Sequence, residues 1–156
     1  MSTAAAVSPL VRLDDELIST EMVGNKFVRL AAARGLAAVP DARCLPADWF
    51  TQALGQARLQ QLHKLLTALA TTLGNEAASL EPAVADILDG LALTKQMRTR
   101  LNEALTALAG SQPDMTFAVR SSTPVEDGAR HSHAGLYESQ LHLRELCDTE
   151  QAVLSC

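Results

Sequence analysis

A chain of 156 residues with a formal net charge of -5 at pH 7 is long enough for one domain with a single core and too short for a second full domain. Its acidity excludes a general basic footprint for nucleic acid or anionic lipid, leaving room only for a local basic pocket that holds a phosphate. Aromatic residues make up 3% of it, below what stacking platforms for single-stranded nucleic acid require.

Residues 1–9 are small and polar and read as a frayed start, and Leu10 to Leu17 reads as a short strand broken by Asp14, Asp15 and Glu16. Glu21 to Asn25 forms a turn. Apolar residues at 27, 28, 30 and 31 then predict a helix from Phe27 to Ala33 that ends at Gly35, with Lys26 at its N-terminus. Ala37 to Pro40 and Ala42 to Leu45 are short, apolar and punctuated by proline, as an edge strand would be. Pro46, Ala47 and Asp48 open a helix that runs from Trp49 to about Leu73 with one apolar face, Gly55 as a break, and Gly74 and Asn75 as its stop.

The next start signal is Ser79, Leu80, Glu81, Pro82, with Val84, Ile87, Leu88 and Leu91 on one face. Thr94 to Leu108 is a further helix, with Met97, Leu101, Leu105 and Leu108 inward and Gly110 at its end. Thr116 to Val119 reads as a strand. A polar loop follows, and Leu136 to Leu143 reads as a second strand with Leu141 and Leu143 alternating with His142 and Arg144. Asp148 to Cys156 begins like a capped helix and stops within about two turns. The Ala and Leu stripes are core or a cover over the sheet, and Lys95, Arg98 and Arg100 form a solvated face without an assigned role.

Cys44, Cys147 and Cys156 are far apart, odd in number and without CxxC or Cys/His ligand spacing, which predicts neither a disulfide framework nor a zinc site. A reducing cytoplasm fits them best. The N-terminus lacks a charged segment followed by an apolar run, and no run approaches the roughly 18 residues that span a bilayer. The expectation is a soluble, cytoplasmic protein with no nucleic-acid or membrane partner.

Polar chemistry is concentrated between Phe117 and Leu143. Arg120 ends an apolar strand, where a guanidinium is fixed in position, always charged and shaped to donate two bonds to phosphate oxygens; the alternative is an ion pair with Glu126 or Asp127. Ser121, Ser122 and Thr123 add hydroxyls and N–H groups beside it. Ala134 and Gly135 form a turn at which backbone can approach an anion without a side chain in the way. Glu126 and Asp127 lack a second carboxylate pair and read as structural. His131 and His133 would share one face of a strand as metal ligands do, but no third ligand accompanies them. No metal ligand and no catalytic residue is assigned on this chain.

Val119 to Asp127, VRSSTPVED, followed by His133 to Ser139, HAGLYES, resembles the AVRSSAxxEDxxxxSFAGQxET segment of the ATP-binding domain of phosphoenolpyruvate synthase and pyruvate phosphate dikinase. Upstream, Val23, Gly24, Asn25, Lys26 and then Leu30 resemble that family's GGKxxxL, and Gly35 to Pro40 its GIPVPPG. Two departures stand out. Asn25 replaces the second glycine of GGK, where it tolerates a left-handed backbone, and His133 stands where the family has Phe.

The resemblance covers residue 20 to the end and divides the chain into an N-terminal segment, 1–19, and a partial nucleotide-binding domain, 20–156. It implies an α+β, ATP-grasp-like first lobe, with a small mixed or antiparallel sheet covered by several helices, truncated at the C-terminus. It also implies that Lys26, Arg120, Ser121, Ser122, Ala134, Gly135 and Glu138 bind the nucleotide, with the loop 132–136 closing over the phosphates of ATP. Mg²⁺ would be held mainly by residues absent from this chain. A second ATP-grasp lobe and a phosphohistidine domain, on a longer chain or a separate one, would complete a dikinase-like phosphotransferase that this chain alone does not run. The competing expectation is a non-catalytic interaction or regulatory module that keeps the fold without nucleotide turnover.

Overall fold

Ala and Leu at helical spacing yield six helices and two small antiparallel sheets, an α+β architecture consistent with a partial ATP-grasp-like lobe, in a computed structural model that describes residues 7–72, 75–112, 114–124 and 139–156. The first sheet pairs β1 (Val11–Arg12) with β2 (Arg43–Cys44), Val11 opposite Cys44. Both strands are shorter than their apolar runs suggest. Past Arg12 the chain turns instead, because Asp15 Oδ2 accepts from the Arg12 N–H at 2.7 Å and ends the ladder. Asp14 pairs with the Arg12 guanidinium at 2.9 Å, which holds its carboxyl below the ordinary aspartate range.

Helix α1 (Thr20–Ala33) starts earlier than Phe27, but it is two helical pieces joined at Gly24, whose φ of 76° and ψ of 168° are not helical. Gly55, with φ 76°, likewise separates α2 (Asp48–Leu54) from α3 (Gln56–Thr71), so the long amphipathic segment is two helices. Helix α4 (Asn75–Asp89) overturns the reading of Asn75 as a stop and of Ser79–Pro82 as a start. Pro82 lies inside it. The proline removes one intrahelical bond, and the packing of Ile87 and Val84 against Leu62 and Leu59 of α3 outweighs that local cost.

Helix α5 (Lys95–Ala109) has the expected boundaries because Thr94 caps it: its Oγ1 accepts from Met97 N–H at 3.3 Å. Strand β3 (Phe117–Arg120) pairs antiparallel with β4 (Ser139–Leu143), and α6 (Leu146–Ser155) packs beside them, longer than the two turns its sequence suggests. The β3–β4 pairing shifts by one residue between Phe117↔Leu143 and Val119↔Gln140. His142 absorbs the extra residue with φ 60°. The expected alternation is therefore broken: Gln140 and Leu143 are half-buried, whereas Leu141 is 49% exposed.

Three apolar clusters hold these elements. Val7, Trp49, Leu93, Met97 and Leu101 form the first, covered by Leu146, Val153 and Leu154 of α6; Met97, fully buried, contributes about 1.5–3 kcal/mol by transfer from water. Val11, Leu13, Val23 and Phe27 form the second, beneath the first sheet, and Leu54, Leu62 and Ile87 the third, between α2, α3 and α4. Residues ahead of position 20 thus supply Val7, Val11 and Leu13 to two of these cores. Trp49 Nε1 donates to the Ser8 carbonyl at 2.9 Å, tying that segment to α2.

Candidate functional site

The two polar motifs, far apart in the chain, meet along one seam. At Gly24 the backbone leaves helical geometry, so the Val23 carbonyl and the Phe27 N–H, which a regular helix joins directly, are separated. The Ser122 hydroxyl fills that interval, donating to Val23 O at 2.6 Å and accepting from Phe27 N–H at 3.1 Å. A side chain inserted into the helical ladder is a recognised cause of a kink. One residue on, the Asn25 N–H donates to Thr123 O at 3.1 Å and Asn25 Nδ2 donates to Pro124 O at 2.7 Å.

The approach is close enough to dictate glycine. A Cβ on Gly24 would lie 2.3 Å from the Ser122 carbonyl carbon and oxygen and 2.5 Å from Thr123 N, and the φ of 76° independently disfavours any L side chain. The left-handed residue of this turn is therefore Gly24; Asn25, which sequence reasoning saw as a candidate for that backbone, instead uses its side-chain amide as a tether.

The seam brings together the helix start that carries Lys26 and the strand end that carries Arg120, both exposed. Arg120 pairs with Ser139 as the last rung of β3–β4. Ser121 and Ser122 are half-buried, and the Ser122 hydroxyl is committed to α1. Ala134, Gly135 and Glu138 lie outside the described residues, as do Glu126, Asp127, His131 and His133. Nothing in the sequence pointed to the Ser122 and Asn25 contacts. Their partners lie 95–99 residues away, and the GN dipeptide before Lys26 is the one local sign of an irregular helix start.

Behind the seam, Cys44 Sγ donates to the same Val23 carbonyl at 3.7 Å, and burial pushes its thiol up to about 12. Two of the first N–H groups after the kink are already paired with the 122–124 loop. Lys26 and Arg120, both exposed, stand on the two sides of the seam. A cleft of about 840 Å³ opens elsewhere, between Val11, Asp15, Glu16, Glu21, Pro46 and Asp48, and its carboxylates would repel a polyphosphate. Among the described residues no group of three or more His, Cys, Asp or Glu is arranged to hold a metal ion, and no helix is long and apolar enough to cross a membrane.

Comparison with known proteins accounts for this pairing of motifs. The chain matches no curated protein. The family model for pyruvate phosphate dikinase, AMP/ATP-binding domain, matches residues 20–156, which includes both sides of the seam. The chain belongs to the pyruvate phosphate dikinase AMP/ATP-binding domain family and forms an ATP/AMP-binding lobe of it.

Proposed function

We propose that the chain holds the phosphates of ATP for a dikinase-type phosphotransferase, with Lys26 and Arg120 as the cationic pair. Supporting this most directly is the seam itself: four hydrogen bonds fasten the Lys26 helix start to the segment that follows Arg120. Lys26 supplies a compact charge from the helix, and Arg120 a planar fork from the strand end. Ser121 and the backbone around Ala134 and Gly135 complete the contacts as the 132–136 loop closes, and Glu138 lies at the nucleotide's edge. Mg²⁺ would be held mainly by carboxylates of a second lobe and would offset phosphate charge, and a phosphohistidine domain would take the phosphoryl group onward. Both belong to the same assembly, on this polypeptide's continuation or on a separate subunit. The three free cysteines suit a reducing cytoplasm.

The test is a titration of ATP, ADP and AMP, with and without Mg²⁺, read by calorimetry and by thermal shift. ATP should stabilise the fold, by about 2.7 kcal/mol at a hundredfold excess over Kd. Arg120→Ala should weaken binding by about tenfold to a hundredfold, the size of one or two charge-assisted hydrogen bonds. Equal affinity in Arg120→Ala would overturn the role of that residue. No response to any nucleotide would favour a non-catalytic module that keeps the fold alone.

A further inference from the structure

We infer that Ser122 and Asn25 are positioning residues, a latch that sets Lys26 and Arg120 as one phosphate-binding unit. The inference rests on the phosphate-holding reading and adds to it the means by which the two cations keep their mutual geometry. A serine hydroxyl has one hydrogen to give, and here it goes to Val23 O at 2.6 Å; one of its lone pairs takes the Phe27 N–H at 3.1 Å. In this arrangement the hydroxyl cannot donate to a phosphate oxygen as well. Its influence on a bound nucleotide must pass through the backbone that it holds.

That backbone carries both cations. Arg120 is two residues before Ser122, at the end of β3, and Lys26 lies between Asn25 and Phe27, each of which is bonded to the 122–124 segment. The Ser122 hydroxyl stands in for the missing rung of α1, and so fixes the direction in which the helix leaves the kink. Asn25 adds a side-chain bond to Pro124 O at 2.7 Å, which a glycine at that position could not make. Without these two side chains, the contact of Gly24 with the Ser122 carbonyl and the backbone bond from Asn25 N–H to Thr123 O would remain, but the interval between Val23 O and Phe27 N–H would be left open. Preorganised cations bind phosphate more tightly because their ordering cost is met in folding.

The experiment compares ATP affinity, by calorimetry of the purified chain, in wild type, Ser122→Thr, Ser122→Val, Asn25→Gly and Arg120→Ala. Thr and Val have the same shape and differ in the hydroxyl alone. Ser122→Val should weaken ATP about tenfold, with Ser122→Thr restored to within about threefold of wild type; Asn25→Gly should fall between them. A core variant, Leu101→Ala, controls for general destabilisation. It lowers Tm and leaves ATP affinity unchanged at temperatures where it is folded. Should Ser122→Val fail to fold, Asn25→Gly, which adds no bulk, carries the test. Wild-type affinity in Asn25→Gly and in a folded Ser122→Val, beside a clear loss in Arg120→Ala, would overturn the latch and leave the phosphate-holding reading standing. Absence of ATP binding in the wild type would overturn both.

Discussion

The seam between α1 and the 122–124 loop and the hairpin of α3 and α4 are held by different physics. The seam is narrow and polar: a glycine, a serine and an asparagine each have a particular partner, and the backbones approach within the reach of a single Cβ. In the hairpin, Leu59, Leu62, Leu65, Val84 and Ile87 interdigitate, and one charged contact, Arg58 to the Gly90 carbonyl at 2.6 Å, closes the end. Apolar packing accepts many sequences of the right volume, whereas a seam of paired donors and acceptors accepts few. The proposed phosphate-holding pair flanks the region where the substitutions allowed are fewest.

Gly24→Ala should be the most damaging single substitution in the seam. One methyl group would meet the Ser122 carbonyl at 2.3 Å and force a φ of 76° on an alanine, so the loop must separate from α1. The left-handed backbone alone costs about 1–2 kcal/mol, and displacing the backbone contact adds to it. A loss of more than about 3 kcal/mol in urea unfolding is expected, together with loss of ATP binding. Retention of wild-type stability would show that the seam is looser than its geometry.

Leu62→Ala tests the other side. Leu62 is buried between α3 and α4, and its truncation should cost about 2–5 kcal/mol, depending on how far Leu59 and Ile87 collapse into the space. ATP affinity in the folded variant should not change, because the hairpin contributes no residue to the seam. A change in affinity beyond about threefold would show that the two regions are coupled.

The two regions also differ in how much of each could be read from sequence. The inward stripe of Met97 and Leu101, the helix start at Thr94 and the break at Gly55 follow from periodicity and from the conformations that glycine favours locally. The family was legible through the two motifs and their order. What was not legible depends on distant partners. Asn75 and Pro82 look like helix boundaries until α3 is there to pack against α4, and the alternation in β4 looks regular until pairing with Phe117 and Val119 forces a bulge at His142. Ser122 reads as a phosphate donor within VRSS, since the helix rung that it fills belongs to a segment almost a hundred residues earlier, 99 at Val23.

Cys44 is a smaller, pH-dependent probe of the seam, since its thiol lies behind it on the Val23 carbonyl that Ser122 also uses. Desolvation raises its pKa from 9.0 to about 12, so in the folded chain the thiol keeps its proton at a pH where the unfolded chain has lost it. Between those values the folded state binds more protons than the unfolded state, and stability must fall as pH rises from about 9, by at most about 1.4 kcal/mol per pH unit from this group. Near neutral pH the contribution vanishes. Cys44→Ala should therefore flatten the alkaline limb of a Tm against pH profile, and the Leu62→Ala profile should keep the wild-type slope at a lower Tm. The same burial predicts that iodoacetamide alkylates exposed Cys147 well before Cys44 in the native chain, the order read by mass spectrometry. Early labelling of Cys44 would mean that β2 separates from α1 in the native state, and that the seam opens from behind.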